Sequence, residues 1–220
     1  MLNEFVLLMM LLNAGTASAS SGSVGHQPGE NVPITRLAVS TPARSAQVEA
    51  LIHNKLLNDP MSPTVGAEHP VLKIVSFTNY DCVHCKQFDS TLERLLKAHP
   101  EIAITYKLLS YGSDASTAAT RMALTVWIEQ PEKFHAFHHA LMGYRGMADD
   151  ARIWSALSAA DVKLKKYRPD THHIIEVNKE LLKVLQYSGT PTTVIGDRII
   201  SGDVSYEELE RAINAAMVES

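Results

Sequence analysis

Cys82 and Cys85 are the only two cysteines in the 220-residue chain, and they stand three apart in the stretch NYDCVHCKQF. That spacing admits three kinds of chemistry. As a structural staple the pair is poor, because a disulfide stabilises mainly through the loop it closes and this loop is almost nil. As half of a zinc site it lacks partners: no third or fourth cysteine exists, so histidines would have to complete the shell. The third possibility is a dithiol that cycles between the reduced and disulfide states.

The flanking segments favour the redox reading. VLKIVSF, residues 71–77, is a continuous apolar run rich in β-branched residues, the pattern of a buried strand. After the cysteines, KQFDSTLERLLKAHP places Phe88, Leu92, Leu95 and Leu96 on one helical face and stops at Pro100. The first cysteine therefore falls at a helix start, where unsatisfied amides and the positive dipole end favour thiolate over thiol. Cys82 is the expected nucleophile. Cys85, one turn further in and less exposed, is the expected resolving thiol. His84 between them can stabilise an anion on Cys82 and make the disulfide more oxidising, while the neighbouring carboxylate of Asp81 opposes that effect.

The elements that must position this pair are legible around it. Residues 1–19 carry an apolar run from Phe5 to Leu12, too short to span a membrane, and end in Ala17-Ser18-Ala19. This reads as an export signal, although Glu4 stands where such signals carry basic residues. Export places the pair in a periplasmic or otherwise exported compartment, where disulfides persist. Residues 20–44, rich in Ser, Gly, Pro and Thr, read as a flexible leader. An amphipathic helix is expected within 45–60, with Val48, Leu51, Ile52 and Leu56 as its stripe; it covers the core or serves for self-association. IAITYKLL is a second strand, and 113–186 is helical in pattern throughout, an inserted all-α domain. Strands return at PTTVIGDRIISG, with Gly196-Asp197 as a hairpin turn. A last helix opens with the capping box Ser205 and Glu208 and buries Tyr206, Leu209, Ile213 and Met217. The expected class is α/β: a thioredoxin fold over 71–112 and 187–220, interrupted by a helical domain.

The bulk composition excludes other chemistry. Hydrophobic residues make up 45% of the chain, enough for a packed core, and the net charge of −4 comes with no basic block, which argues against a nucleic-acid partner. No phosphate loop, G-x-S-x-G or H-E-x-x-H is present. FHAFHHA places His135, His138 and His139 at helical spacings that a metal could use, but the same helix needs Phe134, Phe137 and Leu141 for packing. The histidines are read as flanking a core stripe, so no metal ligand or cofactor is assigned. His172 and His173 read as a helix start, and Trp127, Trp154 and Tyr144 as core side chains of helices.

FTNYDCVHCKQF together with SGTPTTVIGDRIISGDVSYEELERAI resembles the DsbA-like exported thiol-disulfide oxidoreductases, especially the subgroup of the ScsC and Com1 types. DsbA is the type case of an acidified cysteine, so that idea comes with the resemblance. The likeness spans about residues 46–218 and includes LLNDPMSP and KFHAFHHALM. It implies that Pro191 is cis and lies against the cysteines, and that Thr190 offers its backbone to an extended substrate as an added strand. Two positions depart from the pattern: Ser76 stands where relatives often carry a buried acid, and Val83 where many have Pro. The expected function is disulfide exchange with exported proteins, the oxidase direction favoured although the resemblance makes a Thr before the cis proline frequent among isomerase-like members, with Cys82, Cys85 and His84 catalytic and a DsbB-like or DsbD-like membrane partner. Isomerase or reductase activity would use the same residues, and homo-oligomerisation through the N-terminal helix would favour it. A reading from another class is a non-catalytic periplasmic protein that sequesters copper through the reduced pair and histidines, since soft thiolates suit Cu(I).

Overall fold

Residues 42–111 and 114–219 are described in the computed structural model; the segment 1–19 expected as an export signal, and all but the last residues of the leader expected at 20–44, lie outside the described residues. The chain divides into two units, residues 1–55 and 56–220. The described residues of the first, 42–55, all belong to helix α1 (Pro42–Leu57), in the place where the amphipathic repeat predicts a helix.

The second unit is built on a five-stranded sheet. Its elements run β1 (Thr64–Gly66), β2 (Leu72–Thr78), α2 (Val83–Ala98), β3 (Ile102–Leu108), α3 (Asp114–Glu129), a 3₁₀ turn (Pro131–Lys133), α4 (Phe134–Met142), α5 (Asp150–Ala159), α6 (Thr171–Val184), β4 (Thr192–Ile195), β5 (Arg198–Ser201) and α7 (Tyr206–Glu219). The strand order is β1-β3-β2-β4-β5. β2 and β3 are parallel, joined through α2, with Leu72 opposite Ile102 and Thr78 opposite Leu108; the other pairs are antiparallel. This is the expected α/β thioredoxin fold with helices between β3 and β4.

The two central strands are apolar on both faces because helices cover both faces. All seven residues of β3 are buried, and in β2 only Lys73 escapes, its ammonium donating to Leu57 O at 3.0 Å and Asn58 Oδ1 at 2.9 Å. β4 and β5 meet at Gly196-Asp197 as the turn signal predicts, with φ positive at Gly196 alone, the pattern of a type II′ hairpin. The capping box holds as well: the Glu208 amide donates to Ser205 Oγ at 3.2 Å and the Ser205 amide to Glu208 Oε2 at 3.3 Å.

Three features differ from the expectations. β1 is not foreseen, because three residues are too few to show alternation; Gly66 ends it at φ 119°, where a Cβ would stand 2.4 Å from Ile102 O. Trp154 is 51% exposed rather than core. Tyr144 lies beyond the end of α4, its hydroxyl paired with Ser155 Oγ at 2.6 Å. Trp127 is half-buried, edge-on to Phe134, and its indole N–H donates to Pro60 O at 2.9 Å.

The segment NDPMSP before β1 serves a buried cation. Lys107 of β3 is fully buried, with Nζ donating to Ser62 Oγ at 2.7 Å and standing 3.7 Å from Asp59 Oδ2. Removing one partner of a buried pair leaves an uncompensated charge, so Asp59→Ala should lower unfolding free energy by about 3 kcal/mol. Denaturant titration checks this, and a loss below about 1 kcal/mol would mean that the ammonium finds another partner or water.

Candidate active site

The turn between β2 and α2 is held by Asn79. Its buried side-chain oxygen accepts the Asp81 amide at 2.8 Å and the Ser116 hydroxyl of α3 at 3.1 Å, and its backbone carbonyl accepts the Cys82 amide at 3.2 Å. An Asx turn of this kind converts an extended strand end into a helix start. Cys82 becomes the N-cap of α2 with extended backbone, φ −82° and ψ 116°, and its sulfur accepts the Cys85 amide at 3.3 Å.

The two thiols are driven apart in acidity. Cys82 is lowered to about 5, chiefly by the hydrogen bond from the Cys85 side chain; the Cys85 amide, Thr190 and the His84 amide add to this, and partial burial opposes it. Cys85 is raised, first by the same side-chain hydrogen bond and then by burial, being only 1% exposed. At neutral pH the reduced pair is therefore a thiolate at Cys82 and a thiol at Cys85.

Thr190 and Pro191 come to this point from more than a hundred residues away. The Thr190–Pro191 peptide is cis. The Cys82 thiol reaches Thr190 O at 3.4 Å, and the Gly202 amide anchors the loop through Pro191 O at 2.9 Å. His84 is exposed, and its Nδ1 stands 3.1 Å from Asp203 Oδ2, which raises the imidazole pKa and lowers that of the carboxylate. Only its backbone amide figures among the principal groups that lower Cys82. Asp81 turns to the segment after α4, where Oδ1 accepts the Ala148 amide at 2.9 Å, and Lys86 Nζ donates to Tyr144 O at 2.7 Å and Gly146 O at 2.6 Å. These bonds border a groove of about 540 Å³ beside the helix start, lined by Val83, Gln87, Met142, Tyr144, Arg145 and Gly146.

The structure thus brings Cys82, Cys85, Thr190 and Pro191 together, with the His84 ring directed to Asp203. Asn79 and Asp203 escaped the sequence reading: an asparagine in a turn carries no distinctive pattern, and Asp203 is 119 positions from its partner. Ser76 is fully buried opposite Tyr106 and Thr193, and none of the three hydroxyls has a hydrogen-bond partner among the described residues.

The fold and dithiol define a protein disulfide oxidoreductase, and the sequence profile described as thioredoxin matches residues 58–215. The chain belongs to that family, in its DsbA-like branch. A periplasmic thioredoxin-like protein from Salmonella enterica serovar Typhimurium is 38% identical, with a TM-score of 0.74, covering 76% of this chain and 97% of that one. The catalytic domain of Proteus mirabilis ScsC is 37% identical, with a TM-score of 0.74, covering 78% and 98%. Disulfide bond formation protein D of Bacillus subtilis is 21% identical over 168 residues, 69% of this chain and 75% of that protein.

Because Cys85 and the helix amides lower Cys82 while the His84 ring is engaged elsewhere, Cys85→Ala should raise the Cys82 pKa more than His84→Ala does. Thiolate absorbance in the ultraviolet, followed against pH, measures both. A larger rise in His84→Ala would transfer the main effect to the imidazole.

Proposed function

We propose that this protein is an exported oxidant of protein thiols, donating a disulfide held by Cys82 and Cys85 to proteins in the periplasm or an equivalent compartment. The observation that carries the reading is the split in acidity, with Cys82 lowered to about 5 and Cys85 raised. A disulfide whose reduced form is stabilised is the better oxidant.

The cycle starts when a substrate thiolate attacks Cys82 Sγ of the oxidised pair. The Cys82–Cys85 bond breaks, a mixed disulfide forms, and the sulfur of Cys85 leaves and takes up a proton, as its raised pKa favours. A second substrate thiolate then attacks the substrate sulfur of the mixed disulfide, forming the substrate disulfide and releasing Cys82 as the stabilised thiolate. Two electrons have passed to the enzyme, and a membrane redox partner of the DsbB-like kind must remove them. Thr190 and Pro191 hold the substrate segment as an added strand beside Cys82. The exposed side chain of Val83, which lines the groove, and that of Met147, next in the chain to its Gly146, offer apolar contact there.

The N-terminal helix sets the second reading. Self-association through residues 45–60 would place two or more dithiols on one substrate, which suits isomerisation with Cys82 attacking a substrate disulfide. Light scattering on the protein with and without these residues separates the two, a monomer in both cases counting against isomerisation.

Two outcomes test the oxidase reading. Cys85→Ala, its Cys82 first activated as a mixed disulfide with thionitrobenzoate, should pass to mixed disulfides with reduced protein substrates as the substrate thiolate displaces thionitrobenzoate, visible by non-reducing electrophoresis, whereas Cys82→Ala treated alike should form none; equal trapping at either cysteine would overturn the assignment. The pH dependence follows from the lowered Cys82 value: a depressed pKa contributes stability to the reduced protein that is full above the ordinary thiol value and is lost as pH falls through about 5. The gap in Tm between reduced and oxidised protein should therefore shrink between about pH 8 and pH 5. A gap independent of pH would show that the thiolate does not stabilise the reduced state.

A further inference from the structure

The catalytic helix carries two carboxylates that the thiol chemistry does not use. Asp89 and Glu93 stand one turn apart on α2 and are 4% and 8% exposed. Like charges at this spacing repel, and burial sharpens the cost. Facing them from α4 are two imidazoles, also one turn apart: His135 Nε2 lies 2.6 Å from Glu93 Oε1, and ligand atoms of Asp89, Glu93 and His139 all lie within 4.8 Å of one another. The pairing of an i, i+4 acid pair with an i, i+4 histidine pair across two helices gathers three donors, Asp89, Glu93 and His139, around one point, with His135 hydrogen-bonded to Glu93.

A second observation concerns how Asp89 is held. His138, fully buried, places Nε2 3.0 Å from Asp89 Oδ1 and Nδ1 2.8 Å from the buried Tyr80 hydroxyl. With the phenol donating to Nδ1, the Nε2 proton donates to the carboxylate. A carboxylate oriented by a buried histidine, itself oriented by a further hydrogen bond, is the kind of outer support that metal centres use to fix their ligands.

We propose that Asp89, Glu93 and His139 form a site for a divalent first-row transition ion of the zinc class, with water as fourth ligand, that clamps the catalytic helix to α4. The inference stands independently of the oxidase reading. Carboxylate oxygen with imidazole nitrogen suits Zn²⁺ and its neighbours, whereas Ca²⁺ and Mg²⁺ prefer oxygen alone and Cu⁺ prefers thiolate. Tetrahedral ligands at about 2.1 Å from zinc lie about 3.4 Å apart, so the donor atoms converge by roughly an ångström. The ion offsets both buried charges, and His135 supports Glu93 as His138 supports Asp89.

The test uses the full chain with Cys82→Ser and Cys85→Ser, which removes the thiols as ligands without touching the cluster. Equilibrium dialysis against zinc chloride should give one ion per chain, and zinc should raise Tm by mass action. His139 is exposed, so His139→Ala should leave the circular dichroism unchanged while weakening zinc binding at least tenfold. Glu93→Gln should do the same, and His172→Ala, on another helix, should bind as the parent does. No stoichiometric zinc uptake, or uptake unchanged in both His139→Ala and Glu93→Gln, would overturn the site.

Discussion

A negative sulfur at the first turn of a helix is the constraint from which the remaining features follow. Cys82 must stand where amides are unsatisfied, so β2 has to end, turn and start a helix within four residues, and Asn79 makes that turn. The strand that delivers it must not move, and β2 is fixed by pairing on both edges, parallel to β3 and antiparallel to β4. β4 in turn begins directly after the cis Thr190–Pro191 bond, so the same pairing that anchors the cysteines brings the Thr190 carbonyl to them.

Each charged side chain near the thiolate is hydrogen-bonded to a partner other than the sulfur. The carboxylate of Asp81, one residue before the nucleophile, is committed to the Ala148 amide, and its close cation, Lys86, is held by the carbonyls of Tyr144 and Gly146. His84 is paired outward with Asp203. That pair is exposed, where ion pairs contribute little, so it orients the imidazole at the mouth of the site more than it stabilises the fold. What remains to hold the anion is short-range: the Cys85 side chain and amide, the Thr190 side chain and the neighbouring amide of His84. Such donors move little with salt, unlike a surface charge.

Much of this was legible in the sequence because it is periodic or local. The β-branched run of β2, the stripe Phe88, Leu92 and Leu95, the Gly196-Asp197 turn and the Ser205–Glu208 box each report a backbone requirement within a few residues. The dithiol was visible as a motif, and the cis proline through resemblance alone. What was hidden depends on distant contacts. Asp203 meets His84, and Asp59 meets Lys107, only because the sheet brings them together. The histidines of α4 mislead for the opposite reason. The apolar spacing of Phe134 and Phe137 does mark a packed face, but His138 is itself core, filling the space between Tyr80, Tyr106 and Phe134, and Asp89 and Glu93 interrupt the apolar face of α2 opposite it.

The measurement closest to the centre is the equilibrium of the Cys82–Cys85 pair with glutathione, read by thiol trapping and mass spectrometry on the full chain. A thiolate stabilised at Cys82 predicts a single reversible two-electron transition at a potential above that of the glutathione pool, so that the pair gives its disulfide away. A potential below that pool, or no reversible disulfide between the two cysteines, would contradict an oxidant built on a stabilised thiolate.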